Sequence, residues 1–219
     1  MGKTALCFGD SNTHGSMPVE ELGVSQRYPV EKRWPTIMAE RLGADWSVID
    51  EGQPGRTTVH DDPIDGEHKN GARALLALLE SHKPLNLLII MLGTNDLKAR
   101  FNVSALEIAQ SVEKLVHMVR GSACGPEYAA PEVLVVVPTS IVETGVLADF
   151  FRGGAAKSEE MAEKFEQMGE RAEVPVFDAG TVCAVSTTDG IHFEPNALCA
   201  LGEALADQVQ KLATLKGRH

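Results

Sequence analysis

Five short runs of aliphatic and β-branched residues, Thr4–Phe8, Trp46–Ile49, Leu87–Leu92, Val133–Val137 and Val174–Phe177, constrain this chain more than any other feature. They are nearly continuous in hydrophobicity rather than alternating. Such strands are covered on both faces, as in a parallel sheet. Between them lie segments with helical spacing, Trp34–Leu42, Ala72–Ser81, Ala105–Val119 and Ser158–Arg171. A last one, Asn196–Leu215, carries Leu198, Leu201, Leu205, Val209 and Leu212 along one stripe. Gly43 stands where a helix C-cap is needed, and Ser104 with Glu107 reads as a capping box. Strand and helix alternating throughout predict an α/β fold with a doubly wound parallel sheet. Alternation alone does not fix the strand order, and the preferred topology is a flavodoxin-like three-layer α/β/α sandwich with five strands ordered 2-1-3-4-5. No repeat, low-complexity stretch or linker interrupts the pattern, so residues 1–219 are expected to form one domain.

In such sheets, sites lie outside the carboxyl ends of the strands. Every polar candidate falls on that rim: Ser11 after the first strand, Gly55 after the second and Asn95 after the third. Pro138-Thr139-Ser140 follows the fourth, and Asp189 and His192 follow the fifth. A serine hydroxyl needs a base to remove its proton, and a histidine base works best when a carboxylate fixes its tautomer. Asp189-Gly190-Ile191-His192 offers that pair, with Gly190 permitting a bend that folds the carboxylate back onto the imidazole. The expected assignment is Ser11 as nucleophile, His192 as base and Asp189 as its orienting acid. Acyl transfer also needs donors aimed at the developing oxyanion. The Ser11 amide, the Gly55 amide and the Asn95 side chain are available for this. Taken singly, Ser11 could be a turn residue and Asn95 a helix cap; the complete set favours chemistry.

Gly9-Asp10-Ser11, the glycine of Gly52-Gln53-Pro54-Gly55-Arg56-Thr57-Thr58, Gly93-Thr94-Asn95-Asp96 and Asp189-Gly190-Ile191-His192 resemble the four blocks of the SGNH (GDSL) hydrolases. They stand in that family's order and span nearly the whole chain. Arg33-Trp34, Phe177-Asp178-Ala179-Gly180 and Phe193 are similar to its bacterial arylesterase/acyltransferase branch. The resemblance implies the flavodoxin-like fold, no cofactor, the roles of Ser11, Asp189, His192, Gly55 and Asn95 given above, and a tendency to form homo-oligomers. The chain departs from the family pattern at Asn12, at His14-Gly15-Ser16 and at Pro138-Thr139-Ser140, where the acyl and alcohol pockets are expected. Asn12, His14, Thr139, Ile141 and Phe150 are therefore the expected pocket residues. Ile141–Gly154, long for a connection and rich in apolar residues, is expected to narrow the entrance to Ser11 and to pack on a neighbouring subunit.

The remaining signals bound the function. Asp10, Asp96 and Asp178 read as loop-holding carboxylates. The segment His60–His68 is rich in metal-ligand types but matches no zinc or EF-hand spacing, so a solvated loop and no metal are expected. Ser158-Glu159-Glu160 reads as a helix start. Acidic residues outnumber basic ones by 31 to 20, a formal charge of −11, which argues against nucleic acid or an anionic membrane as partner. Cys7, Cys124, Cys183 and Cys199 form no Cys-x-x-Cys pair, and Met1-Gly2-Lys3 leads straight into the first strand. A cytoplasmic protein acting on a small-molecule ester is the expectation. Deacetylation of a carbohydrate or metabolite is the competing use of the same residues. A non-catalytic binding module and a metal-dependent phosphohydrolase using Asp10 and Asp96 are less consistent with the sequence.

Overall fold

A parallel five-stranded sheet, ordered β2-β1-β3-β4-β5, runs through the molecule. Its strands are β1 (Lys3–Gly9), β2 (Trp46–Gly52), β3 (Leu87–Met91), β4 (Glu132–Val137) and β5 (Val176–Asp178). The computed structural model describes residues 2–216; Met1 and residues 217–219, at the ends of the expected domain, lie outside the described residues. The helices are α1 (Ser11–His14), α2 (Trp34–Leu42), α3 (Gly71–His82), α4 (Ala105–Arg120), α5 (Gly154–Ala172) and α6 (Pro195–Lys216).

The inner strands β1, β3 and β4 read as apolar because both faces are covered, whereas β2 and β5 at the edges are only partly buried. Leu6 and Phe8 of β1, Leu88 and Ile90 of β3 and Val133, Val135 and Val137 of β4 pack with α3, α4 and α5. Ala5 and Cys7, Leu87 and Ile89, and Leu134 and Val136 point the other way, onto Trp34 and Met38 of α2 and the Leu198, Leu201 and Leu205 stripe of α6. Ser104 and Glu107 form the reciprocal capping box at the start of α4, and the Gly43 N–H closes α2 on the Ala39 carbonyl.

Three boundaries differ from expectation by two residues or more; the first is that β2 runs on to Gly52, three residues past Ile49. β5 pairs with β4 only from Val176 onward, because Pro175 has no N–H to give the ladder and contributes only its carbonyl, to Val135 N–H at 3.0 Å. Helix α5 begins at Gly154, four residues before Ser158. The first turn is instead satisfied from outside, where the Glu143 carboxylate accepts the Ala155 N–H at 3.1 Å. Ser158 is buried inside the helix, and its hydroxyl accepts the Ile141 N–H at 3.0 Å, pinning the connection from β4. Among the described residues, no helix is long and apolar enough to cross a membrane.

Phe165 of α5 is fully buried and reaches under Gly93, at the exit of β3. Phe165→Ala should cost about 3–5 kcal/mol through lost burial and a residual cavity, measured by urea denaturation. A loss below about 1 kcal/mol would contradict this packing.

Candidate active site

β1 ends at Gly9, and the Asp10 carboxylate caps the single turn of α1 by accepting the Asn12 N–H at 2.9 Å. This presents the nearly buried Ser11 hydroxyl at the sheet's carboxyl edge. The other half of the site comes from the turn that precedes α6. Gly190 has φ +72°, and a Cβ there would lie 1.8 Å from the Val142 carbonyl, so only glycine fits. The bend folds Asp189 back onto its own turn: Oδ1 accepts the Ile191 and His192 N–H groups, both at 3.0 Å. Oδ2 accepts the Val19 N–H at 2.7 Å and His192 Nδ1–H at 2.6 Å. With Nδ1 protonated toward the carboxylate, the Nε2 lone pair faces Ser11, whose hydroxyl donates to it at 3.0 Å. Burial pushes the Asp189 carboxyl up, but the hydrogen bond and charge of His192 and the backbone donors outweigh it and hold the group at about 2. It is therefore an anion at neutral pH, and the chain can move a proton from hydroxyl to imidazole.

The remaining donors converge on the same cleft, about 290 Å³, which Ser11, Gly55, Asn95 and His192 all line. Gly55 sits at φ +80°, a left-handed conformation suited to glycine. The Asn95 side-chain amide donates to the Arg56 carbonyl at 3.1 Å, which fixes its plane, and makes a long contact of 3.5 Å to Asp10 Oδ2. A larger apolar hollow, about 500 Å³, opens at the opposite ends of the strands near Lys3, Trp46 and Leu87, away from this chemistry.

The GDSL-like lipase/acylhydrolase family model matches residues 7–197. The chain belongs to that family. Solved structures agree. An aryl esterase from M. smegmatis is 43% identical, with 96% of this chain and 100% of that one covered and a TM-score of 0.92. Est24, a carbohydrate acetylesterase from Sinorhizobium meliloti, is 41% identical over 96% and 99% of the two chains, with a TM-score of 0.91. A carbohydrate acetylesterase family member from the same organism is 36% identical over 95% and 98%, with a TM-score of 0.87. No curated protein matches the chain.

In this GDSL-like site the expected pocket residues divide. Phe150 lines the cleft, together with Leu147 and Phe151 of the same connection. The other four stand elsewhere. The Asn12 amide is turned inward and donates to the Ile191 carbonyl at 3.0 Å, stitching α1 to the 189–192 turn. His14 lies beside Arg27 and Asp50 near the end of β2. Thr139 Oγ1 is 3.4 Å from Cys183 Sγ, and Ile141 is buried in the core. The cleft wall they were expected to form is built instead by Ser16, Met17, Val19 and Leu22. That stretch has neither helical nor strand periodicity to betray it.

Two charged elements also escaped the sequence. Arg56 is buried with its guanidinium 4.3 Å over the Phe8 ring, and Nη1 donates to the Gly9 carbonyl at 2.8 Å and to that of Glu51. Burial lowers its pKa to about 10. It ties the ends of β1 and β2 beneath the Gly55–Asn95 side of the site. Second, Asp62, expected in a solvated loop, is fully covered and pairs with Lys98 and Arg100. The charge opposite it is not visible in the 60–68 segment itself. Among the described residues, no group of three or more His, Cys, Asp or Glu side chains is arranged to hold a metal ion.

Asp96, beside Asn95, read from the sequence as a loop-holding carboxylate, does hold a loop. Its carboxylate accepts the Thr58 N–H and hydroxyl, clamping the loop that carries Gly55 and Arg56. Burial raises its pKa to about 7, against the lowering effect of the Thr58 bonds. A raised carboxyl contributes stability that is present below its unfolded value near 4 and is lost as pH rises toward 7. Asp96→Asn removes this dependence. The stability difference between variant and wild type should therefore shift in the variant's favour by a few kcal/mol from pH 4 to pH 7, one pKa unit being worth about 1.4 kcal/mol. Urea denaturation at both pH values checks it, and a difference constant with pH would contradict it.

Proposed function

We propose that the protein is a serine esterase that hydrolyses short-chain acyl esters, working as one domain. The observation that carries the reading is His192, held between the Asp189 carboxylate at 2.6 Å and the Ser11 hydroxyl at 3.0 Å. As Ser11 Oγ attacks the ester carbonyl, His192 Nε2 takes its proton. The imidazolium that forms is stabilised by Asp189, which stays ionised. The tetrahedral oxyanion accepts hydrogen bonds from the Ser11 and Gly55 amides and from Asn95, whose long contact to Asp10 leaves one amide proton to redirect. His192 then protonates the leaving alcohol. Water, activated by the same imidazole, releases the acid from Ser11, and an alcohol or peroxide in its place would give acyl transfer or perhydrolysis. His192 carries every proton transfer, with Asp189 orienting and stabilising it, so the cycle calls for no electron carrier or metal.

The M. smegmatis and S. meliloti relatives support esters of aryl and small alcohols, with O-deacetylation of a carbohydrate as the second reading. Asp65, Lys98 and Arg100 in the cleft wall favour that second reading. We also read the protein as a cytoplasmic homo-oligomer. All four cysteines are free, and Leu22, Val24, Val142 and Phe150 leave exposed apolar surface.

A fluorophosphonate should modify Ser11 stoichiometrically, as mapped by peptide mass spectrometry, and Ser11→Ala should lose labelling and at least about 10³-fold in ester kcat. Modification elsewhere, or undiminished turnover, would overturn the mechanism. Asn95→Ala should lower kcat for a nitrophenyl ester by about 10²–10³-fold, some 2.7–4 kcal/mol, with KM changed far less. A loss confined to KM would remove Asn95 from the oxyanion site.

A further inference from the structure

The cleft carries four charges that ester hydrolysis does not call for. Lys98 Nζ lies 3.1 Å from Asp65 Oδ2 and 3.5 Å from Asp62 Oδ2; Arg100 Nη1 lies 2.9 Å from Asp62 Oδ1 and 3.8 Å from Asp65 Oδ2. Asp62 closes the group from behind. Its side chain is fully covered, and its Oδ1 also accepts the Ile64 and Asp65 N–H groups. Lys98, Arg100 and Asp65 line the same cleft as Ser11, and the Asp65 side chain keeps 40% of its surface exposed. The Arg100 guanidinium is further positioned 6.0 Å over the Phe150 ring.

Stability does not explain the group. Replacing buried ion pairs by apolar side chains of similar size is often neutral or stabilising, and the neighbouring wall is apolar. What the four charges provide is a wall with no net charge that still offers both kinds of hydrogen-bonding partner. Lys98 has three ammonium protons and Arg100 five guanidinium protons, more than their two carboxylates absorb, and the exposed Asp65 carboxylate accepts. An ionised substituent entering here would lose hydration and find no net field to replace it. Hydroxyl groups, which donate and accept at once, find both partners.

We propose that Asp65, Lys98 and Arg100 form a specificity subsite that selects esters of uncharged, hydroxyl-bearing alcohols over esters of ionised ones. This rests on the esterase reading above. Acetyl and its unsubstituted short homologues carry no hydroxyl group, so the portion of substrate that meets the wall is the alcohol. The apolar side chains Val19, Leu147 and Ile191 line the remainder of the cleft.

The balance of charge is the testable element. Measure kcat/KM for three acetate esters: an uncharged polyol monoacetate, a carboxylate-bearing alcohol and a choline-type cationic alcohol. Asp65→Asn leaves the wall with one net positive charge. It should raise the ratio of carboxylate-bearing to polyol ester about tenfold at low salt, and the gain should shrink at high salt. Lys98→Gln leaves one net negative charge and should shift the ratio of cationic to polyol ester the same way. The two variants act in opposite directions, so general damage to the site cannot mimic the pattern, and either one alone suffices if the other fails to fold. Ratios within about twofold of wild type in a folded variant would overturn the subsite. A wild-type enzyme that hydrolyses no ester and is not labelled at Ser11 would instead sink the esterase reading itself.

Discussion

The hydrogen bond from the Ser11 hydroxyl to His192 Nε2 joins residues 181 positions apart, and the rest of the architecture exists around it. Ser11 is fixed because β1 is a central, fully covered strand whose exit is capped by Asp10. His192 is fixed because Gly190 turns where a side chain would strike the Val142 carbonyl. The two halves are knitted by the Asn12 amide on the Ile191 carbonyl and by the Val19 N–H on Asp189. The cleft-lining 16–25 stretch is therefore tethered to the same carboxylate that orients the imidazole.

Two buried carboxyls at this rim are driven in opposite directions. Asp189 accepts four N–H groups, one from an imidazole, and stays far below the ordinary carboxyl range. Burial outweighs the hydrogen bonds from Thr58 and from its own backbone and pushes Asp96 up to about 7. The contrast fits the electrostatic role proposed for the first; the hydrogen bonds of the second hold the Gly55–Arg56 loop against Asn95. Arg56 completes that side by bridging the ends of β1 and β2 through their carbonyls.

Nearly all element positions were legible in the sequence, because buried parallel strands are continuously apolar and amphipathic helices must cover them. The pattern leaves the strand order open, and the order observed is the preferred, flavodoxin-like one. The meeting of Ser11, Gly55, Asn95 and His192 at one cleft, with Asp189 behind His192, was legible too, since the rim rule brings the loops after the strands together. What escaped depends on contacts distant in sequence. Thr139 and Ile141 follow a strand yet turn toward Cys183 and the core, so position after a strand does not fix direction. Asp62 reads as solvated until Lys98 and Arg100 are brought to it from another loop. The 16–25 wall has no periodic signature. The start of α5 was displaced because a serine and two glutamates read as a helix terminus, whereas Ser158 is an internal tether.

The central claim concerns where the oxyanion sits relative to the three proposed donors and the imidazole. A crystal structure of the phosphonylated protein tests it most directly, because the bound phosphonate imitates the tetrahedral intermediate. The account predicts a bond from Ser11 Oγ to phosphorus, with the phosphoryl oxygen within hydrogen-bonding reach of Ser11 N, Gly55 N and Asn95 Nδ2, and His192 beside the remaining substituent. A phosphoryl oxygen pointing to solvent, or an imidazole swung away from Ser11, would contradict it.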